Sequence, residues 1–231
     1  MEFSISKKLG AECLGTFCLV FAGTGAIVIN DISGGAVTHV GIALTFGLIV
    51  FAMITAVGDV SGAHLNPAVT FGFFLARRLP GNAVAPYVAS QVMGAVLASI
   101  TLRLLFPIHP GLGGTLPSGS LLQSLVLEVL LTAMLMYVIL SVTLGAKEKG
   151  ITAGIAIGGV IALEALFAGP VSGASMNPAR SLAPALVSGQ LHTVWVYLVA
   201  PTLGAGVAVL TCRCIRESSC CRAASVRESQ S

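Results

Sequence analysis

The sequence predicts an all-α membrane protein with six transmembrane helices and two re-entrant half-helices, related by an inverted repeat. Three observations predict this fold class. Of the 231 residues, 55% are hydrophobic and only 9% are charged, which is typical of helical membrane proteins and not of soluble domains. Apolar runs long enough to cross a bilayer recur along the whole chain. An eight-residue pattern also occurs twice, each time before a much shorter apolar run.

The repeated pattern is SGAHLNPA at residues 61–68 and SGASMNPA at residues 172–179. In both copies an Asn precedes a Pro, which is typical of a helix N-cap with proline in the first turn. These candidate pore residues are Asn66, Pro67, Ala68, Asn177, Pro178 and Ala179. The apolar runs that follow, 67–75 and 178–187, would rise only about 15 Å, half of a bilayer core. Because polar helix ends at that depth need water, the pattern predicts a pore.

The predicted elements follow in order. The first span, 9–29, is preceded by two lysines and ends at the turn-like stretch 30–35. We interpret it as a span and not as a cleaved signal peptide, because no small-residue cleavage site follows it. The first half-helix lies between the second and third spans, and the second half-helix lies between the fifth and sixth. The remaining predicted spans are 39–57, 84–106, 121–144, 151–168 and 193–212.

The distribution of basic residues predicts the orientation. The lysines and arginines that flank the spans fall on one side: Lys7, Lys8, Arg77, Arg78, Lys147, Lys149 and the arginines of the tail, about 213–231. The opposite loops, 30–38, 107–120 and 188–192, carry neither Lys nor Arg. Both termini are therefore expected to be cytoplasmic. The net charge of +3 is too diffuse to indicate nucleic-acid binding.

Further matches extend the repeat beyond the two Asn-Pro-Ala sequences. Glu12 in the first span corresponds to Glu128 in the fourth, and Tyr87 corresponds to Tyr197, an offset of 197 − 87 = 110 residues. Each half holds an odd number of crossings, so the second half must be inverted, which places the shared site near the midplane. We expect one channel domain over 1–231, with repeat halves of about 7–106 and 121–214.

These features together resemble the aquaporins of the major intrinsic protein family: six spans, two Asn-Pro-Ala half-helices, Arg180 after the second, and an early Glu in each half. Residues 172–182 are also similar to the nodulin-26-like members. The resemblance implies a passive channel for water and small uncharged solutes that excludes protons and ions. It further implies a homotetramer in the lipid bilayer of the plasma membrane, with no cofactor. An enzyme is not expected, because no nucleophile–base pair or metal cluster is apparent.

The resemblance also implies an outer selectivity constriction formed by Phe46, Ala165, Ala174 and Arg180. Strict water channels usually have a His at the position of Ala165, so two alanines here predict a wider and less polar opening. Glycerol, urea or ammonia would then pass. Ser181 instead favours a water channel, because glycerol facilitators usually carry Asp directly after the arginine. The sequence therefore does not determine the ratio of water permeability to solute permeability.

Two intramembrane carboxylates, Glu12 and Glu128, allow two interpretations. As proton-relay groups they would indicate a secondary transporter, whereas as structural groups they would accept hydrogen bonds from the re-entrant loops. We favour the structural interpretation because they occupy equivalent repeat positions. His64 is interpreted as a loop-bracing residue and not as a metal ligand, and the roles of Asp59 and Glu164 are open. Two further alternatives are a facilitator specific for glycerol or a metalloid acid, and a structural membrane protein.

Overall fold

The computed structural model describes residues 3–143 and 151–216, and all regular structure in these ranges is helical. The helices are α1 (Ile5–Ile32), α2 (Thr38–Ser61), α3 (Pro67–Leu75), α4 (Gly81–Leu105), α5 (Leu121–Val142), α6 (Ile151–Ser172), α7 (Pro178–Ser188) and α8 (Val194–Arg216). Among the described helices, six are long and apolar enough to cross a membrane, while α3 and α7 are the two half-helices. The predicted fold class is confirmed, and the chain is a multi-pass membrane protein. The predicted turn at 147–149 and most of the predicted tail lie outside the described residues.

Several predicted helix ends are wrong by three or four residues, including those of the second and sixth spans, where α2 continues to Ser61 and α8 to Arg216. The first span was expected to end at residue 29, but α1 continues to Ile32. There the side-chain oxygen of Asn30 accepts a hydrogen bond from the Thr38 amide at 2.8 Å, which ties the helix end to the next helix. The fifth span was expected to end at residue 168, before Pro170, but α6 continues to Ser172.

Helix α6 tolerates Pro170 because a distant side chain replaces the missing donor. Proline has no amide hydrogen, so the carbonyl of Leu166, four residues earlier, lacks its usual helical partner. His39 Nε2, at the start of α2, donates to that carbonyl at 2.7 Å. The partner is 127 residues away along the chain, so local sequence patterns do not reveal it.

Glycines allow the long helices to cross closely at equivalent places in the two halves. Helix α1 packs against α4, where a Cβ on Gly94 would lie 2.1 Å from the Cys13 carbonyl oxygen. Helix α5 packs against α8, where a Cβ on Gly204 would lie 2.4 Å from the Val129 carbonyl oxygen. Both crossings therefore depend on the absence of a side chain, as is common between membrane helices.

Arginines at the two ends of α4 bind backbone or hydroxyl oxygens. Arg78, just before α4, donates to the Thr143 hydroxyl at 2.8 Å near the end of α5. At the opposite end, Arg103 donates to the carbonyls of Pro107 and His109 at 3.0 and 2.8 Å. Arg103 lies inside the predicted third span, next to the 107–120 loop, on the side of the membrane where the loops carry neither Lys nor Arg. Its guanidinium group holds the loop that follows α4 through these two hydrogen bonds.

Candidate functional site

A cavity of about 810 Å³ inside the helix bundle is lined by the asparagine of each Asn-Pro-Ala sequence, whereas the Pro and Ala residues of both sequences do not line it. Its wall includes the asparagines Asn66 and Asn177, which begin the two half-helices. At one end it is lined by charged groups near the start of α1 and the end of α2, Lys8 and Asp59. Towards the other end lie Phe46, Ala165, Ala174 and Arg180. The structure thus brings all four residues of the expected constriction to one cavity.

The loop before each half-helix turns sharply through left-handed backbone conformations. Three positions in each loop have positive φ: Gly62, Ala63 and Leu65, and then Gly173, Ala174 and Met176. The four that are not glycine have φ between 41° and 54°. Each costs about 1–2 kcal/mol relative to ordinary backbone. The loops therefore need strong external support.

Glu12 supplies that support in the first half. It is fully buried and accepts four hydrogen bonds. One oxygen accepts from the Ser61 hydroxyl at 2.7 Å and the His64 amide at 2.9 Å. The other accepts from the Leu65 amide and from Gln91 Nε2, both at 2.7 Å. Three of these four donors belong to the end of α2 and the re-entrant loop.

Glu128 does the same in the second half. It is also fully buried and accepts from the Ser172 hydroxyl, the Ser175 amide and the Met176 amide, each at 2.8 Å. The two carboxylates thus hold equivalent atoms of the two loops. Because fixed donors occupy their oxygens, this geometry favours loop support over proton relay.

Aromatic residues complete the support of both loops. The Tyr87 hydroxyl donates to the Ser61 carbonyl at 3.0 Å, and the Tyr197 hydroxyl donates to the Ser172 carbonyl at 2.7 Å. In the first half, His64 also stacks on a phenylalanine ring of α3 with centroids 4.5 Å apart. No group of three potential metal ligands occurs among residues 3–143 and 151–216.

The two asparagines cap their half-helices. The side-chain oxygen of Asn66 accepts from the Ala68 amide at 2.9 Å, and that of Asn177 accepts from the Ala179 amide at 3.0 Å. Each cap satisfies an amide that would otherwise lack a partner in the first turn. Both half-helices therefore begin inside the protein with their amide ends at the cavity.

The asparagine amide groups also join the two halves. Asn66 Nδ2 donates to the Met176 carbonyl at 2.7 Å, and Asn177 Nδ2 donates to the Leu65 carbonyl at 2.9 Å. Each side-chain amide has two hydrogens. One is used across the junction, so only the second is available to the lumen. The two Asn-Pro-Ala sequences predict the caps, but they do not reveal this reciprocal bridge.

Arg180 lies one turn into α7 and is 2% exposed. Its Nη1 donates to the Gly113 carbonyl at 3.0 Å, and its guanidinium carbon lies 5.0 Å from the centre of the Phe46 ring. That distance allows a cation–π interaction. Its Nε has no hydrogen-bond partner in the described part of the chain. Ala165 and Ala174 line the same cavity, and their side chains are single methyl groups.

The loop between α4 and α5 is a part of the site that sequence reasoning missed. Besides the Gly113 carbonyl, it supplies Thr115, whose hydroxyl donates to Ser181 Oγ at 2.8 Å. Ser181 in turn forms a short hydrogen bond with Ser175 in the second re-entrant loop. The buried His109 fixes the loop base, with Nε2 3.2 Å from Asp31. The Gly and Pro residues of this loop are typical of an irregular connection, and they give no sign of these contacts.

Two residues whose roles were open have different surroundings. Asp59 is exposed at the charged end of the cavity. Glu164 is fully buried beside Ala165 in the chain but does not line the cavity. Neither of its carboxylate oxygens has a hydrogen-bond partner among the described residues.

Comparison with known proteins gives concordant results. The family model described as Major intrinsic protein matches residues 1–212. The chain is 50% identical over 208 residues to Aquaporin NIP1-1 of Oryza sativa subsp. japonica, covering 89% of this chain and 73% of that protein. It is 46% identical over 200 residues to Nodulin-26 of Glycine max, covering 86% and 74%. The X-ray structure of the aquaglyceroporin from Plasmodium falciparum superposes with a TM-score of 0.82 at 27% identity, covering 91% and 96%.

Proposed function

Because this chain belongs to the major intrinsic protein family, we propose that it is a passive membrane channel for water and for small uncharged solutes such as glycerol, urea or ammonia. The observation that carries this proposal is the cavity itself. Two half-helices begin at it with asparagine caps, and a buried arginine lies further along the same wall.

The junction of the half-helices supports exclusion of protons and cations. Each helix N-terminus carries a partial positive charge of roughly half a unit. The free amide hydrogens of Asn66 and Asn177 add donors at the same depth. A water molecule there turns its oxygen towards these donors, which interrupts a continuous proton wire, as in aquaporin-type pores generally. The same field repels cations.

The outer ring supports passage of solutes larger than water. Arg180 offers donors to an oxygen of the solute, and Phe46 offers an apolar face. The side chains of Ala165 and Ala174, which also line the cavity, add neither bulk nor polar atoms. We propose that these four residues form the selectivity constriction, with room for a carbon backbone against Phe46 and hydroxyl or amide oxygens towards Arg180.

A facilitator with little water conduction, specific for glycerol or a metalloid acid, is a second candidate. The two alanines favour it, and one solved structure that resembles the chain is that of an aquaglyceroporin. A purely structural membrane protein is less consistent with Arg180, because a buried cation inside a bilayer normally faces water.

Flux measurements on proteoliposomes test the proposal. Purified protein is reconstituted, and stopped-flow light scattering follows shrinkage under an impermeant osmolyte and then re-swelling under glycerol, urea or ammonia gradients. We expect water and at least one solute to cross faster than in protein-free liposomes, with no added proton leak. Solute flux without water flux would favour the specific facilitator. The absence of both would contradict the channel.

We further propose a plasma-membrane location with both termini cytoplasmic, and a homotetramer. The one-sided distribution of Lys and Arg supports the orientation. A cysteine at Ile108, which is 94% exposed in the α4–α5 loop, should react with an impermeant maleimide added outside cells, whereas one at Glu148 should not. The reverse labelling pattern would contradict the orientation. Light scattering of the detergent-solubilised protein measures the oligomeric state.

A further inference from the structure

The ring of Phe46 lies directly on the backbone of Gly23 in α1. A Cβ built on Gly23 would be 2.1 Å from Phe46 Cε1 and 2.5 Å from both Cδ1 and Cζ. Ordinary contacts of a Cβ atom begin at 3.4 Å. The ring therefore occupies the space that any other residue at position 23 would fill with its side chain.

The backbones around this contact have little freedom to separate. Next to Phe46 in α2, a Cβ on Gly47 would lie 2.5 Å from the Gly158 carbonyl oxygen in α6, so these two helices touch through their main chains. Protein interiors respond to added atoms by moving side chains more readily than packed backbones. The atoms that a Cβ at Gly23 meets belong to the far end of the Phe46 side chain. The ring is therefore the part that would move.

The space available to a displaced ring is the lumen. Arg180 lies beside the ring at 5.0 Å and is held by its bond to the Gly113 carbonyl. Ala165 and Ala174, which line the same cavity, have only methyl side chains. Relieving the closest contact needs a shift of 3.4 − 2.1 = 1.3 Å away from α1. A shift of that size is close to the radius of a water molecule, about 1.4 Å.

We infer that Gly23 is a positioning residue that sets the width of the outer constriction, because the absence of its side chain lets Phe46 withdraw from the lumen against α1. This inference rests on the proposed channel function and adds to it a determinant of solute size. Gly23 itself does not line the cavity, so it acts only through Phe46.

The effect should differ from that of glycines that pack directly against the backbone of another helix. At Gly94 and Gly204 an added Cβ would meet a backbone carbonyl oxygen, at 2.1 and 2.4 Å, so substitution there should disturb helix crossing and stability. At Gly25, two residues further along α1 than Gly23, an added Cβ would meet only Leu102 Cδ2 at 3.3 Å. Gly25→Ala is therefore the matched control, because it makes the same change in the same helix away from Phe46.

The test is a double-mutant cycle in proteoliposomes. Water and glycerol permeabilities are measured for the wild type, Gly23→Ala, Phe46→Leu and the double variant, with Gly25→Ala alongside. We expect Gly23→Ala to lower glycerol permeability by about tenfold or more, the scale on which one methylene discriminates in a packed site. Water permeability should fall by a smaller factor. Gly23→Ala should have no such effect when Phe46 is already leucine, and Gly25→Ala should match the wild type.

Each other outcome has a defined meaning. The inference is overturned if Gly23→Ala leaves both permeabilities unchanged. It is also overturned if Gly23→Ala lowers glycerol permeability equally whether residue 46 is phenylalanine or leucine. A parallel loss of water and glycerol flux with a lowered unfolding temperature overturns it too, because Gly23 would then serve only folding. If the wild type conducts water and no solute, the solute part of the proposed function fails. The inference then stands only if Gly23→Ala lowers water permeability when residue 46 is phenylalanine and does not lower it when residue 46 is leucine.

Discussion

Three buried glutamates allow one substitution to be compared in three environments. Glu12 and Glu128 are surrounded by hydrogen-bond donors, whereas Glu164 has a partner for neither oxygen in the described ranges. All three are fully buried. Changing each to glutamine keeps the size and removes the potential negative charge. The consequences should therefore depend only on what surrounds the carboxyl group.

The structure determines the expected magnitude. Each oxygen of Glu12 accepts a backbone amide, from His64 or from Leu65, so a glutamine NH2 group must face one of them in either orientation. The same holds for Glu128 with Ser175 and Met176. Losing one charge-assisted hydrogen bond and leaving a buried donor unpaired costs about 3 kcal/mol. For a chain of this length, that lowers the unfolding temperature by roughly 6–12 °C.

Glu164→Gln should behave differently because there is no donor to lose. An ionised carboxylate without a partner is costly in a buried site, so the neutral amide should leave stability unchanged or raise it. Thermal unfolding in detergent, followed by circular dichroism, measures the three variants under identical conditions. Water flux should fall in Glu12→Gln and Glu128→Gln, because the re-entrant loops lose support.

Two results would refute this reasoning. If Glu12→Gln and Glu128→Gln unfold at the wild-type temperature, the carboxylates do not hold the loops. If Glu164→Gln is destabilised as much as the other two, the Glu164 carboxyl group forms a stabilising interaction in the folded protein.

Three further predictions concern the lumen. Asn66→Asp and Asn177→Asp should each reduce water flux or raise the proton leak measured with a pH-sensitive dye, because a carboxylate cancels the positive field at the helix N-terminus. Ala165→His should reduce glycerol flux more than water flux in stopped-flow assays, since it adds bulk and a donor to the ring. Mercurials should leave wild-type water flux intact, because no cysteine in the described ranges lines the cavity, whereas Ala174→Cys should create a block that a thiol reverses.

The opposite results would be equally informative. If both aspartate variants conduct water and exclude protons as the wild type does, Asn66 and Asn177 do not form the barrier to protons at mid-membrane. Equal loss of water and glycerol flux in Ala165→His would show that position 165 does not discriminate by size. Mercurial block of the wild type would require a reactive cysteine at the lumen.

Several features could be predicted from the sequence because they depend on local chemistry. Hydropathy over about 20 residues identifies a span. An Asn-Pro pair before a short apolar run identifies a half-helix, and α3 begins and ends at Pro67 and Leu75 as predicted. The odd number of crossings in each half required inversion. The family resemblance that these patterns carried is confirmed by the match over residues 1–212.

Other features were decided by the tertiary structure. Helix α6 continues through Pro170 because His39 supplies a donor from another helix. The asparagines use one amide hydrogen each to bind the opposite loop. Gly23 lies under the Phe46 ring, a contact between two helices that no local sequence pattern reveals.

The physical reason for this division is the range of the interactions involved. Burial in lipid and helix capping act on neighbouring residues, so the order of amino acids along the chain determines them. The width of the pore instead depends on where side chains from different helices meet. Gly23 in α1 contacts Phe46 in α2, and Arg180 in α7 contacts both Phe46 and Gly113 in the α4–α5 loop, so four separate segments meet at the proposed constriction. Only the crossing of the helices brings them together.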